Sequence, residues 1–445
     1  MRNFFRQLYL SNRFFYALGV VAVLYILSFF FDAIAFLPPI VLMLLLIILV
    51  IDIVLLFNTK KGIIAQRILP EKLSNGDENL TKIDIKNHYP FAIKVEVIDE
   101  APFQFQLRDF RIHKKIKSNG NEFFQYSLEP KERGEYHFGE LNIFATSPIG
   151  LIKRRTKFSS NAMVPSYPSF IHLPKYELMA MQNEFMLGGI KKIRKIGHTM
   201  EFEQIKDYVQ GDDIRNINWK ATAKRNQLMV NQYQEERAQR IYMLIDKGRT
   251  MKMPFDGLTL LDYSINASMA LSHIVLKKKD NAGIMTFSKK IENVVPAESR
   301  SGQLKKIGEA LYNVETNFYE SDFSRLYVDL EVKVRRRSLI LLFSNFETLD
   351  ALNRQLRYLR GIAKNHLLVV VFFKNSAMDD LSKGKKLENI QNVYDQIIAE
   401  KFEYEKKLIR QELQKYGISS VYTAPENLSI SVINKYLEVK ARGIL

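Results

Sequence analysis

Three patterns predict a multidomain chain made of an N-terminal transmembrane helical hairpin, a small all-β sandwich and a doubly wound α/β domain. Two long apolar runs stand near the amino end with only a short step between them. Short runs alternating apolar and polar residues occupy 63–170, the signature of strands with one buried face. From residue 236 onward, near-continuous apolar runs of strand length alternate with amphipathic stretches of helix length, as in a mostly parallel sheet covered on both faces. The expected boundaries are 1–62 for the hairpin, 63–170 for the sandwich, 171–200 for a linker, 201–235 for a densely charged segment and 236–445 for the α/β domain.

The hairpin starts behind Arg2, Arg6 and Arg13. Phe14–Phe31 is apolar for about 18 residues, roughly 27 Å of helix and close to the hydrocarbon thickness of a bilayer. No small-residue cleavage site follows, so a second span rather than a signal peptide is expected. That span is Ala33–Phe57, with Pro38-Pro39 near its start, where proline suits a first helical turn. Lys60, Lys61 and Arg67 follow it, while the connecting loop carries only Asp32. Basic residues at both outer ends place both termini in the cytoplasm. Asp52 lies about five residues from the end of the second run, roughly 8 Å inside the boundary. An acid at that depth is a contact for a partner helix, or it reaches the headgroups or pairs with Lys60 or Lys61.

In the β region the strands are read at 80–86, 93–98, 123–128 and 140–144. Turns fall at Ser74-Asn75-Gly76, His88-Tyr89-Pro90, Ser118-Asn119-Gly120 and Ser147-Pro148-Ile149-Gly150. This spacing suits a sandwich of immunoglobulin type, a module that binds or spaces rather than catalyses. The linker holds Gly188-Gly189 and a basic run, Lys191, Lys192, Arg194 and Lys195. After the charged segment's motif an edge strand is read at 228–234, and in the α/β domain strands at 240–246, 282–287, 291–295, 338–343, 367–373 and 418–422. Helices are expected at 258–277, 302–313, 322–335, 349–363, 387–416 and 428–440.

Composition narrows the function. A chain of 445 residues, 47% apolar, can build two or three cores. It has no cysteine, which removes disulfides and thiolate metal sites and suits a reducing compartment. The net charge of +17 could answer nucleic acid or an anionic inner leaflet. The basic run lacks interleaved aromatic residues on which bases would stack, so the inner-membrane lipid is expected as the partner and nucleic acid is not. The seven histidines show no ligand spacing, and no glycine-rich phosphate loop with lysine is present.

The segment from Glu201 to Lys224 carries the densest pattern and Trp219, the only tryptophan. Asp212 and Asp213 supply a cap and first-turn negative charge; Lys220, Lys224 and Arg225 supply positive charge in later turns. A short helix over 214–223 is expected. Its apolar residues Ile214, Ile217, Trp219 and Ala221 do not share one face, so the segment should be wedged between two surfaces. Capping and internal ion pairs that latch the segment onto the α/β domain, with Trp219 as apolar anchor, compete with a functional surface at Asp212, Asp213 and Arg215.

This segment is similar to the recurring phrase of a bacterial family catalogued as domain of unknown function 58. Glu201, Phe202, Tyr208, Gly211, Asp212, Asp213, Arg215, Trp219, Lys220 and Ala223 match it, while Lys206 and Lys224 stand where arginine is usual, keeping charge without bidentate geometry. Residues 130–139 and Ser147-Pro148-Ile149-Gly150-Leu151 resemble its β-domain phrases. The resemblance implies a von Willebrand factor A-like α/β domain and a membrane anchor. As partners it implies a MoxR-type AAA+ ATPase and related von Willebrand factor A membrane proteins such as the Bat proteins. The role expected is a membrane-anchored scaffold or adaptor in assembly or maturation of protein complexes, not an enzyme.

Ligands of doubly wound sheets bind beyond the carboxyl ends of the strands, which selects Asp246. A von Willebrand factor A domain holds a divalent cation there with a D-x-S-x-S loop, a second-loop hydroxyl and a later aspartate. Carried over by resemblance, Asp246 and Thr250 keep their places, Gly248 replaces the middle hydroxyl, Asn345 replaces the later aspartate, and Ser299 or Ser301 would serve the second loop. One carboxylate remains, too few for tight magnesium, so no cofactor is expected. A metal-dependent protein-ligand module is the alternative. A haloacid-dehalogenase-like phosphatase, using Asp246, Ser344 and Asp379-Asp380, is weaker because Gly248 takes the place of its general acid.

Overall fold

The computed structural model describes residues 2–59, 61–107, 110–159, 161–187, 200–210, 212–235, 238–316, 318–375 and 390–443. Lys60, Gly211, the run 188–199 and Asp379-Asp380 lie outside the described residues. The chain divides into two units, Met1–Tyr167 and Pro168–Leu445.

The first unit opens with a short helix α1 (Arg2–Gln7) and a short strand β1 (Leu8–Leu10). The helices α2 (Asn12–Phe30) and α3 (Leu37–Phe57) follow as an antiparallel pair, with the prolines in the first turn of α3. Both are long and apolar enough to cross a membrane. Their outward residues, among them Tyr16, Val20, Phe29, Phe30, Met43 and Leu44, are exposed. The strands are β2 (Ile63–Ile68), β3 (Leu73–Ser74), β4 (Asn79–Asn87), β5 (Ile93–Asp99), β6 (Arg111–Ile116) and β7 (Asn121–Leu128). They continue with β8 (Gly134–Phe138), β9 (Leu141–Thr146), β10 (Ile152–Phe158) and β11 (Ala162–Tyr167). A five-stranded sheet, β1-β10-β9-β5-β6, shares one core with the sheet β2-β4-β7, and β3-β11-β8 forms a third. Alternation drives this packing: Ile83 and Ile85 of β4 meet Val95, Val97, Ile143 and Ala145 inside, while Lys82 and Lys86 stay outside.

Three expectations change here. The amino-terminal arginine segment is not merely a flank, because β1 pairs antiparallel with β10 and joins the sheet. Arg67 is not a free positive flank either. It follows the register of β2 into the interior, pairs with Asp99, donates to the Gly139 carbonyl at 2.8 Å and lies over the Phe138 ring. Asp52 does not reach the surface, and among the described residues, which leave out Lys60, it pairs with no lysine. It is 0% exposed; Ser147 Oγ donates to one oxygen, and the Leu151 and Ile152 amides donate to the other at 2.8 and 3.0 Å. One face of the last turns of α3, the one carrying Asp52 and Leu56, is therefore buried, and a carboxylate without donors there would be costly.

The same turn meets α2. Ser11, the residue before that helix, donates through its hydroxyl to the Gly150 carbonyl at 2.5 Å and through its amide to Leu151 at 2.9 Å. Ile149 and Leu151 then pack among Phe14, Ala17, Val41 and Leu49 of the two helices. At the end of α3, Arg154 donates to the Leu56 and Thr59 carbonyls at 2.6 and 2.7 Å, and the Tyr89 hydroxyl donates to Leu56 at 3.0 Å. These donors satisfy carbonyls that a helix end leaves unpaired.

In the second unit, α4 (Leu173–Leu187) falls where a linker was expected. Leu173 and Ala180 are buried in the α/β core, and Glu177 pairs with Lys277 and His273. A two-stranded ribbon, β12 (Met200–Asp207) with β13 (Met229–Glu235), carries helix α5 (Trp219–Arg225) in its connection. The segment read as an edge strand, 228–234, is paired within this ribbon. The main sheet starts with β14 (Arg240–Asp246), followed by the small hairpin β15 (Pro254–Phe255) and β16 (Leu258–Thr259), then α6 (Leu260–Lys277). Next come β17 (Asn281–Phe287), β18 (Ile291–Glu298), α7 (Gln303–Tyr312), α8 (Phe323–Lys333), β19 (Leu339–Phe343) and α9 (Leu349–Asn365). The remainder is β20 (Leu367–Phe373), α10 (Ile390–Lys415), β21 (Ser419–Thr423) and α11 (Leu428–Arg442).

The strand order is β18-β17-β14-β19-β20-β21, parallel except for the antiparallel edge β18. Ile241, Met243 and Ile245 face α4, α6, α7 and α11; Tyr242 and Leu244 face α8, α9 and α10. The carboxylate of Asp280 accepts from Tyr436 at 2.6 Å, Lys440 at 2.7 Å and the Gln239 amide at 3.0 Å, tying the last helix to the strand entrances.

Asp52→Ala should strand the buried Leu151 and Ile152 amides and destabilise the first unit by about 3 kcal/mol. Urea unfolding of the full chain in detergent measures this. Asp52→Asn, which keeps an acceptor, should lose less.

Candidate functional site

Asp246 ends β14 at the carboxyl edge of the parallel sheet, where open α/β sheets present ligand crevices. Its Oδ1 accepts from the Gly248 amide at 2.8 Å and from Ser321 Oγ; its Oδ2 accepts from Ser344 Oγ at 2.6 Å. Burial pushes its pKa up against the lowering effect of these donors. Gly248 is glycine because a β-carbon there would collide with Ser321 Oγ and approach Tyr319 O at 3.1 Å. Ser321 Oγ thus occupies the space that a side chain at position 248 would need.

The other residues expected near Asp246 are divided by the topology. Thr250 sits half-buried in a single 3-10 turn, Arg249–Lys252, and no hydrogen bond among the described residues joins it to Asp246. Ser299 and Ser301 lie at the opposite end of the sheet. β18 turns back antiparallel to β17, pairing Ile291 with Phe287 beside Asp246 and Glu298 with Ala282 at the far end. Ser321 and Ser344 take the places beside Asp246 that those serines were expected to hold.

Asn345, at the end of β19, accepts from Lys406 Nζ at 3.4 Å. Lys406 is 2% exposed, also donates to the Phe346 carbonyl and lies over the Phe402 ring. Burial lowers its pKa to about 8, against the raising effect of Glu347 and Glu405. It lines a 280 Å³ cavity with Asn345, Glu347, Asn375 and the apolar side chains of Met253, Phe255 and Phe373. An ammonium beside the Asn345 oxygen supplies positive charge where the resemblance would put a metal. The single nearby aspartate has both oxygens engaged by donors, so these residues do not fit a tight magnesium site. Among the described residues no cluster of three histidines or acids could hold a metal.

Sequence reasoning missed Lys406, although a signal existed. Ala399, Phe402, Lys406, Ile409 and Leu413 repeat at spacings of three and four, so this lysine stands on the buried stripe of a long charged helix. Ser321 had no comparable signal, since it comes from a connection distant in sequence.

The ribbon residues are arranged differently from expectation. In place of one helix over 214–223, a 3-10 turn, Ile214–Asn216, is capped by Asp213, and α5 is capped separately by Asn218, whose oxygen accepts from the Ala221 amide at 3.0 Å. Asn218 is extended, which breaks the helix. Asp212 accepts from Lys206 Nζ at 2.9 Å and the Val209 amide at 3.0 Å, and the lysine hydrogen bond holds its pKa down. The Tyr208 amide bonds the Leu228 carbonyl. Trp219 is not a wedged anchor: it is 69% exposed, as is Ile214, and Val209, Arg215, Lys220 and Ala223 are exposed too. Among the described side chains of this region Met229 and Val230 are buried, and both belong to the ribbon itself. Glu201 and Phe202 pair with Gln234 and Tyr233 in its ladder.

Fold and site define a two-part protein, with an apolar helical hairpin built into a β-sandwich and a mixed α/β unit carrying an exposed ribbon. Residues 204–414 match the family model described as "Protein of unknown function DUF58". The uncharacterized protein YeaD of Bacillus subtilis strain 168 is 22% identical over 240 residues, 53% of this chain and 58% of YeaD, so the chain spans less than two thirds of that relative. Among solved structures, PapD-like domain 7 of human CEP192 covers 24% of this chain and 83% of that domain at 14% identity and TM-score 0.18. Proximal thread matrix protein 1 from the mussel byssus covers 45% of each chain at 9% identity and TM-score 0.26. Likeness at these scores carries no argument.

Two outcomes are expected. With Lys406 near pKa 8, the unfolded chain holds a proton that the folded chain has released between pH 8 and about 10.5. Stability should therefore rise with pH through that window, and Lys406→Met should be more stable at pH 7 and flatter above it, by urea unfolding at pH 7, 8.5 and 10. Thermal melting should be the same with and without magnesium; a magnesium-dependent rise abolished by Asp246→Ala would restore the metal-site reading.

Proposed function

We propose that this chain is a membrane-anchored, non-enzymatic scaffold on the cytoplasmic side of a bacterial inner membrane, whose von Willebrand factor A-like unit docks a MoxR-type AAA+ ATPase. The observation that carries this reading is the ribbon: Trp219, Ile214 and Val209 stand exposed, as do Arg215, Lys220 and Lys224, in a segment whose two short turns are capped by Asp213 and Asn218. Exposed tryptophan and isoleucine are costly surface for a lone protein, and tryptophan is enriched in interface hot spots. The hairpin supplies location, since its outward residues suit hydrocarbon better than water. The partner is drawn from the family resemblance of the ribbon and would supply ATP, while this chain supplies position and a docking face for assembly or maturation of protein complexes. Related von Willebrand factor A membrane proteins would complete such an assembly. A metal-dependent ligand module gains no support from the donors around Asp246.

Capture of the full chain from detergent-solubilised membranes should recover the ATPase, and Trp219→Ala should reduce the recovered amount at least tenfold. Recovery of no ATPase in any nucleotide state would refute the assignment. Release of the chain by alkaline carbonate would refute the anchor.

A further inference from the structure

The first unit holds a second candidate site, at the foot of the helical pair. A 440 Å³ groove opens between the start of α2 and one face of the five-stranded sheet. Arg13, Lys94, Lys114, Lys115 and Lys153 line it, and Glu96 is the one carboxylate in its lining.

The sheet register puts these charges in a row. Lys115 of β6 is directly opposite Lys94 of β5, Lys94 is opposite Thr146 of β9, and Thr146 is opposite Lys153 of β10. Directly opposed like charges destabilise a sheet. Lysines on an edge strand such as β6 guard against aggregation, but Lys94 and Lys153 are on interior strands of this sheet, where edge protection is not needed. Lys153 is neutralised by Glu96 at 2.6 Å, whereas Lys94 and Lys115 form no ion pair among the described residues. Glu96 is itself shared, since Arg111 approaches it at 3.7 Å.

We infer that this groove binds the phosphate headgroup of an anionic phospholipid, with Lys94 and Lys115 as the paired cations and Arg13 as the residue nearest the hydrocarbon. A phosphate diester between the two lysines would relieve their mutual repulsion. Arg13 is in the first turn of α2, the helix whose apolar length follows, so the groove stands where headgroups would stand. This rests on the reading that α2 and α3 cross a bilayer.

The test uses the full chain in neutral detergent micelles, with bound lipid measured by native mass spectrometry. The probes are dioleoyl phosphatidylglycerol, dioleoyl phosphatidylcholine and inorganic phosphate. Phosphatidylglycerol should be retained in preference to phosphatidylcholine. Lys94→Gln with Lys115→Gln should weaken its retention about thirtyfold, at roughly fivefold per lysine. Lys82→Gln, exposed on another sheet, should change nothing. Without lipid the double variant should melt no lower than the parent, which separates lost binding from lost folding. Equal retention of the two lipids, or an unchanged double variant, overturns the proposal; displacement of phosphatidylglycerol by inorganic phosphate would assign the groove to free phosphate and overturn the lipid. Flotation of parent and double variant with phosphatidylcholine vesicles tests the anchor separately, because both should float on their helices whatever the groove binds.

Discussion

Buried carboxylates must find donors, and that constraint fixes the geometry of both units. Asp52 binds the turn before β10 and so sets how the apolar helices leave the sandwich. Asp99 draws Arg67 and Tyr126 together across the strands. Asp246 gathers Ser321 and Ser344 from two connections far apart in sequence. Asp280 holds the last helix to the first strands of the α/β sheet. Each acid would cost several kcal/mol if its donors were removed, so each permits one arrangement of the segments it joins.

This constraint bears on how the helices and the sandwich are joined. A span tethered by a loose linker would leave the sandwich free to tumble. Here the Ser147–Leu151 turn is wedged between α2 and α3, and Arg154 and Tyr89 close the end of α3. The sandwich therefore holds a defined attitude to its helices, and its basic groove is carried with them. In the other unit the polar groups at the carboxyl edge of the sheet are turned toward one another rather than outward. The ribbon differs: Lys206 with Asp212 and Asn218 with Asn231 pair at its partly exposed surface, and its largest apolar side chain is outside.

In the α/β unit most elements were legible, whereas four of the eleven strands of the first unit were read. Near-continuous apolar runs located the central strands to within a residue or two, because a strand covered on both faces has no polar position to confuse its limits. The hairpin was equally plain. The motif residues were recognised, but their disposition was not: a tryptophan in a charged segment reads as an anchor, and only the separate caps at Asp213 and Asn218 reveal two short turns with Trp219 on the outer side. Lys406 could have been found from its place on the apolar stripe of α10, yet its charge argued for the solvated face.

Taken alone, the sequence determined the order of the parts, the apolar length of the helices, the alternation of strand and helix, and the single acid at the end of β14. These follow from local periodicity and composition, which need no knowledge of distant neighbours. Tertiary structure decided who stands beside whom. It removed Ser299 and Ser301 from Asp246 by reversing β18, replaced them with Ser321 and Ser344, put a lysine beside Asn345 and gave Asp52 its donors. Those pairings join residues separated by tens to about a hundred positions, and only the closing of the sheets brings them within hydrogen-bond reach.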